Sequence, residues 1–162
     1  MSKQTVKEDE VRIGILITSD IRNEKTDISG KIIASELEKA GYRVVGREFC
    51  PNDAGKIEKK LREMVRECDA VIVSGGTGIG KRDVSADVCI KLMEKELPGF
   101  GEIFRAKSYE KIGHFALLSR ATGGVYEKTL IFCIPGSPDA AKTACEILIP
   151  LIKHAVHEVK YR

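Results

Sequence analysis

A short apolar run that empties into four glycines within six residues constrains this chain most: Ala70-Val71-Ile72-Val73-Ser74-Gly75-Gly76-Thr77-Gly78-Ile79-Gly80. Ala70 to Val73 has the length and β-branched content of a fully buried strand. Lys81, Arg82 and Asp83 follow the turn, and a helix-like segment begins after them. Glycine takes positive φ without a Cβ clash and lets a ligand approach the backbone. A turn between a strand and a helix N-terminus presents free N–H groups that suit an anion such as phosphate. The pattern therefore predicts a parallel-sheet fold that handles a phosphorylated ligand.

The rest of the chain repeats the strand-then-helix pattern. Val11–Thr18 is an apolar, β-rich run, and Ile28–Ala40 carries Ile32, Ile33, Leu37 and Ala40 at helical spacing. Gly41 supplies a helix stop. Tyr42–Phe49 predicts a strand, Ala54–Glu67 a charged helix with Ile57, Leu61, Met64 and Val65 on one face, and Val84–Glu96 a further helix. Pro98-Gly99-Phe100-Gly101 reads as a break, Glu102–Tyr109 as a short helix, and His114–Arg120 as ambiguous. Thr129–Ile134 predicts a strand, and Ala140–His157 a long helix that Pro150 kinks or interrupts. This alternation predicts a single α/β domain over residues 11–162: a three-layer α/β/α sandwich with a mostly parallel central sheet and right-handed crossovers. Ligands in such sheets bind beyond the carboxyl ends of the strands. Thr18–Asp20, Cys50–Asp53, Ser74–Gly80 and Pro135–Pro138 then share one rim.

Composition narrows the function classes. The net charge is only +3, with both signs interspersed, so charge makes no case for nucleic acid or a membrane surface as partner. No apolar run approaches the roughly 18–20 residues of a membrane span, and residues 1–10 read as a polar, flexible tail without a signal-peptide core. The five cysteines, Cys50, Cys68, Cys89, Cys133 and Cys145, form no CxxC pair and fall mostly in apolar segments. They read as buried thiols, with the reducing cytoplasm as the default location.

Each candidate motif has a plainer alternative. The glycine turn lacks the Lys-Ser/Thr pair of a P-loop, since Lys81 precedes Arg82, and it has no clear acidic ribose partner. Lys81 and Arg82 beside free N–H groups suit a polyphosphate. Asp83 suits Mg²⁺, or else caps the following helix. Pro135-Gly136-Ser137-Pro138 is a second sharp strand-to-helix turn, in which Ser137 caps the helix, contacts a ligand, or both. Ser119-Arg120 offers a hydroxyl and a guanidinium shaped for bidentate phosphate contact, or a surface salt bridge. His154 and His157, three apart, suit a metal or the C-terminal end of a helix. His114 has no partner in the sequence.

Taken together, Ser19-Asp20, Asp27-Ile28-Ser29-Gly30, Ser74-Gly75-Gly76-Thr77-Gly78, Arg82-Asp83-Val84, Pro98-Gly99-Phe100-Gly101-Glu102 with Arg105, Leu118-Ser119-Arg120-Ala121 and Pro135-Gly136-Ser137-Pro138 resemble the MoaB/Mog family of molybdenum-cofactor biosynthesis proteins, on its short MoaB branch. The likeness runs from about residue 11 to 155. It implies a homotrimer, or a hexamer of two trimers. It implies Mg-ATP-dependent adenylylation of molybdopterin with release of pyrophosphate. It implies ligand contacts at Ser19, Asp20, Gly75, Gly76, Thr77, Gly78, Arg82, Ser119, Pro135, Gly136, Ser137 and Pro138, and a catalytic, Mg²⁺-binding role for Asp83. The family's second acid normally follows Pro in a V-P-D-[DE] segment, where this chain reads Cys50-Pro51-Asn52-Asp53. Asn52 replaces that acid. Asp53 either supplies the catalytic and Mg²⁺-binding carboxylate from one residue along or caps the next helix. The alternative function is a catalytically weak or inactive molybdopterin-binding carrier, and on fold grounds alone an unrelated nucleotide-binding domain.

Overall fold

The computed structural model describes residues 10–162. The predicted tail lies outside the described residues except for Glu10, whose carboxylate faces Arg43 at 3.4 Å. Six strands form one sheet: β1 (Arg12–Thr18), β2 (Arg43–Cys50), β3 (Ala70–Ser74), β4 (Lys95–Glu96), β5 (Thr122–Tyr126) and β6 (Thr129–Ile134), in the order β2-β1-β3-β6-β5-β4. β2, β1, β3 and β6 run parallel, while β5 and β4 are added antiparallel at one edge. The helices are α1 (Ser29–Lys39), α2 (Ala54–Met64), α3 (Ser85–Leu92), α4 (Pro98–Ile112) and α5 (Pro138–Tyr161), with a 3₁₀ segment at Gly113–Leu118.

Alternation along the central strands divides the core into two layers. Ile13, Ile15 and Ile17 of β1, Ile72 of β3 and Phe132 of β6 pack against α1, α4 and α5. Leu16, Val71, Val73, Ile131 and Cys133 face the other way, onto α2 and α3. The three-layer architecture follows, because β1, β3 and β6 are apolar on both faces and need cover on both.

Local chemistry sets the helix ends. Gly41, at φ +92°, closes α1: its N–H donates to the Glu38 carbonyl and that of Tyr42 to the Leu37 carbonyl, the paired bonds of a Schellman stop. Pro98 does not break a helix but opens one, taking the first position of α4, where its missing N–H costs nothing. α3 accordingly ends at Leu92, short of the predicted Glu96. Pro150 lies inside a continuous α5. One turn on, the Tyr42 hydroxyl donates to the Ile149 carbonyl (2.6 Å) and accepts from the Lys153 N–H (3.3 Å), which ties β2's leading end to the helix where proline weakens its ladder.

Candidate functional site

The four parallel strands end on one rim, at the segments the sequence placed there. After β1 the chain passes to β2 on one side and then to β3 on the other, so the crevice between β1 and β3 is the switch point where open α/β sheets bind ligands. The glycine turn sits there. Gly75 (φ +116°) donates its N–H to the Ile134 carbonyl at 2.8 Å, and a Cβ on it would strike the Thr18 carbonyl. Gly76 (φ +70°) leaves no room for a Cβ beside the Ser85 hydroxyl. That hydroxyl donates to Thr18 Oγ1 (2.8 Å), which in turn reaches the Ser74 carbonyl (3.4 Å). The turn therefore rests on a buried polar chain joining β1, β3 and α3.

Over β3 and β6 lies a cavity of about 450 Å³. Gly76, Thr77, Gly78, Asp83 and Ser119 line one side, and Pro135, Gly136 and Ser137 another. Among the described residues, the N–H groups of Gly76, Thr77 and Gly78, and of Ile79 outside the cavity, find no acceptor in the protein, whereas those of Gly75 and Gly80 are paired. Three consecutive free donors on a cavity wall are what an anionic oxygen requires.

Two residues hold that wall. Asp83 Oδ2 accepts the Gly80 N–H at 2.8 Å and packs where a Cβ on Gly78 or Gly80 would sit, so the loop closes around its carboxylate. The helix-cap alternative for Asp83 does not apply, because α3 begins after Val84 with no side-chain cap. Arg120 spends its guanidinium on the protein: Nε on the Gly78 carbonyl (3.0 Å), Nη2 on the Asp83 carbonyl (2.9 Å), and a two-pronged pair with Asp87 (2.7 and 3.1 Å). That pair holds the Asp87 carboxyl below its ordinary range. Arg120 thus takes the salt-bridge alternative and braces the loop.

Asn52, Asp53, Ser19, Asp20 and Arg82 lie on the other half of the rim and do not line the cavity. Asp20 is their hub. Its two oxygens accept Nε and Nη2 of Arg82 (3.1 and 2.9 Å) together with the Asn52 N–H (3.0 Å) and Nδ2 (3.3 Å). The Arg82 hydrogen bond, aided by the Asn52 N–H, lowers the Asp20 carboxyl to about 2. Ser19 Oγ accepts the Ile21 and Arg22 N–H groups. Asp53 caps α2 by accepting the Lys56 N–H at 2.9 Å. The structure thus brings Asp83, Gly76–Gly78, Ser119 and Pro135–Ser137 together and leaves Asn52 and Asp53 apart. β2, which leads into them, is separated from β3 by β1, so two strand spacings of roughly 5 Å intervene.

At the second turn, Ser137 caps α5 through the Ala140 N–H (3.1 Å) while lining the cavity, and Pro138 fills the first helical position. The Gly136 carbonyl accepts from Arg22 (2.5 Å) and Ser29 Oγ (2.7 Å). Sequence reasoning missed the cavity's third side: Phe104, Ser108, Lys111 and Ile112 on one face of α4, with Phe115 and Leu118 beyond it. Their i, i+4, i+7, i+8 spacing was a readable signal, obscured by ending the helix at Tyr109. The histidines take no metal partner among the described residues: His154 faces Glu158 at 3.5 Å and His157 packs on Tyr161. All five thiols are free and buried, and burial pushes Cys68 and Cys145 up to about 11.

Comparison with known proteins places this geometry. Residues 14–154 match the family described as "Probable molybdopterin binding domain". The chain is 42% identical over 156 residues to molybdenum cofactor biosynthesis protein B of Bacillus subtilis, covering 94% of this chain and 92% of that protein. A solved molybdenum cofactor biosynthesis protein B superposes with a TM-score of 0.91 at 38% identity, over 94% of this chain and 98% of the other. The tungsten cofactor synthesizing protein MoaB from Pyrococcus furiosus superposes at 0.85 with 34% identity, over 93% and 98% of the two chains.

Proposed function

The chain belongs to the probable molybdopterin binding domain family, and from that premise we propose that it acts in molybdenum-cofactor biosynthesis by transferring AMP from Mg-ATP to molybdopterin. In this reaction a terminal phosphate oxygen of molybdopterin attacks the α-phosphorus of ATP. A new P–O–P bond forms, the bond to the leaving group breaks, and pyrophosphate departs. Such a transfer needs alignment and charge neutralisation rather than a covalent protein nucleophile.

The observation that carries the reading is the run of free N–H groups at Gly76, Thr77 and Gly78 on the wall of a cavity that Asp83 also lines. Those donors bind phosphate oxygens. The Ser85–Thr18–Ser74 chain and the Arg120 brace fix their direction before substrate arrives, so no reorganisation is needed during the reaction. Ser119 and Ser137 add hydroxyls, and the α5 N-terminus adds its dipole.

Mg²⁺ fits this wall in one way. Asp83 Oδ1 accepts no hydrogen bond from the described residues, and no cluster of three ligating side chains exists among them. That suits a cation carried in on phosphate oxygens and held by a single carboxylate, as is common for Mg²⁺. When bound, the ion would neutralise phosphate charge; Asp83 would hold it, and Asp53, which does not line the cavity, would not.

Incubation of the protein with molybdopterin, ATP and Mg²⁺ should yield adenylylated molybdopterin. Asp83→Asn should abolish transfer with little change in stability. Full activity in that variant would remove Asp83 from the mechanism. A second reading, a molybdopterin carrier with weak turnover, is favoured by the placement of Asn52 and Asp53 off the cavity. It predicts tight molybdopterin binding without AMP transfer. For the assembly we propose a trimer, possibly doubled. Phe115 and Leu117, 65% and 73% exposed beside the cavity, provide apolar surface for it, and light scattering that finds only monomer would exclude it.

A further inference from the structure

We propose that Lys111 is a second anion contact of the cavity, holding a phosphate group of the bound substrates opposite the glycine turn. The inference rests on the phosphoryl-transfer reading and adds to it a residue outside every motif that suggested the function. Among the described residues, Lys111 is the only cationic side chain on the cavity wall, which also carries the carboxylates of Asp83 and Asp139. Of the cations the sequence offered for phosphate, Arg82 and Arg120 are tied to carboxylates, and Lys81 does not line the cavity.

The Lys111 ammonium is oriented but not saturated. It donates to Thr143 Oγ1 at 2.8 Å, on a side chain that is almost wholly buried, and to Glu146 Oε1 at 3.3 Å. An ammonium has three donors, so one remains. Glu146 is shared: its other oxygen faces Lys107 at 3.8 Å. One carboxylate shared by two ammonium groups neutralises Lys111 only in part. The same cavity is lined by Phe104, Ile112, Phe115 and Leu118. An apolar wall together with anion contacts on the glycine turn and on α4 fits a ligand carrying a flat ring system and phosphate groups.

The experiment compares the full chain with Lys111→Met, Lys111→Arg and Glu146→Gln, titrating each calorimetrically with inorganic pyrophosphate and with molybdopterin. Lys111→Met should weaken binding of one probe by about tenfold or more, the scale of a charge-assisted hydrogen bond, and Lys111→Arg should retain most of the affinity. Glu146→Gln should leave binding unchanged or tighter, because it frees the ammonium. Loss on pyrophosphate assigns Lys111 to the nucleotide's polyphosphate; loss on molybdopterin alone assigns it to the pterin's phosphate. Unchanged affinities in Lys111→Met, binding of neither probe by the natural chain, or an equal loss in Glu146→Gln would each overturn the proposal, the last by reducing Lys111 to a staple between α4 and α5. AMP transfer is measured in parallel. Lys111-dependent phosphate binding without transfer would sink the adenylyltransferase reading and leave this inference standing. Transfer with Lys111-independent binding would do the reverse.

Discussion

The two halves of the rim differ in how their polar groups are spent. On the β1–β2 half, Asp20 receives four donors from Arg82 and Asn52, and Asp53 Oδ1 caps α2, although Asn52 Oδ1 is buried without a partner among the described residues. On the β3–β6 half, the amides of Gly76 to Gly78 go unpaired and one Asp83 oxygen stays free. Unpaired polar groups in a folded chain are costly unless something else meets them. The β1–β2 half, whose charged groups are mostly paired with one another, therefore reads as a clamp that holds the turn, and the β3–β6 half, with its run of free amides, as the surface that meets ligand. The conspicuous charges of the sequence went mostly to the clamp, while the ligand side is built largely from backbone and small residues.

The largest break in this contrast should come from Arg120→Met. Removing the guanidinium frees the carbonyls of Gly78 and Asp83 and releases Asp87. Loss of about 1–3 kcal/mol in stability is expected from the hydrogen bonds, with a far larger loss of ligand binding because the amides lose their common direction. Denaturant melts and ATP titration measure the two. Arg120→Lys should rescue neither, since a lysine cannot span these acceptors. Normal binding in both variants would show that the turn holds its shape unaided.

Asp53→Ala separates the halves more gently. It should cost about 0.5–2 kcal/mol, the range for a lost N-cap, and leave AMP transfer per folded molecule unchanged. A collapse of transfer at preserved stability would return Asp53 to the reaction. Asn52→Asp should give no gain in transfer although it supplies the family's usual acid. Asn52 Nδ2 donates to Asp20 Oδ2 at 3.3 Å, so a carboxylate there would face a second carboxylate and compete for Arg82. The expected result is a lower melting temperature at neutral pH, with the deficit shrinking as acid protonates the pair. A clear rise in Mg²⁺-dependent transfer would break the division between the halves.

The smallest effect concerns pH. Arg82 and Asn52 lower the folded-state pKa of Asp20 from 3.8 to about 2, so the clamp's contribution is fully present above the unfolded value and is lost as pH falls through about 2. Asp69 behaves with the same sign. Burial would raise it, but the Arg12 N–H and the Lys160 ammonium outweigh that and hold it below its ordinary range. Acid titration of the natural chain against Asp20→Asn should show a shallow extra loss of stability below about pH 4 only in the former. Superimposable curves would mean that Asp20 contributes nothing to folding.

Most of the fold was legible before any coordinates, and the exceptions have physical causes. β1, β3 and β6 announce themselves as apolar runs, and Gly41 marks the end of α1 by its positive φ. β5 did not, because Thr122-Gly123-Gly124-Val125-Tyr126 is weakened by two glycines that its neighbours impose. A Cβ on Gly123 would meet the Phe132 ring, and one on Gly124 would meet Met93 and the Lys95 carbonyl. The hairpin into β6 was hidden too. Glu127 and Lys128 turn it at φ +48° and +62°, a geometry normally signalled by Asn or Gly.

For the site, sequence alone determined the family motifs, the shared rim and the importance of the glycine turn, because glycine content and strand endings are local properties. Only the tertiary structure decided which charges are free. A carboxylate or guanidinium reads the same in sequence whether it meets solvent, ligand or another side chain. Asp20 and Arg82 are 62 positions apart, and Arg120 and Asp87 33, so their pairing exists only once the strands are ordered. The same ordering set Asn52 and Asp53 two strands from the cavity and turned Lys111 of α4 toward it. These are consequences of long-range contact, and of them only the shared helix face of Phe104, Ser108, Lys111 and Ile112 leaves a local pattern.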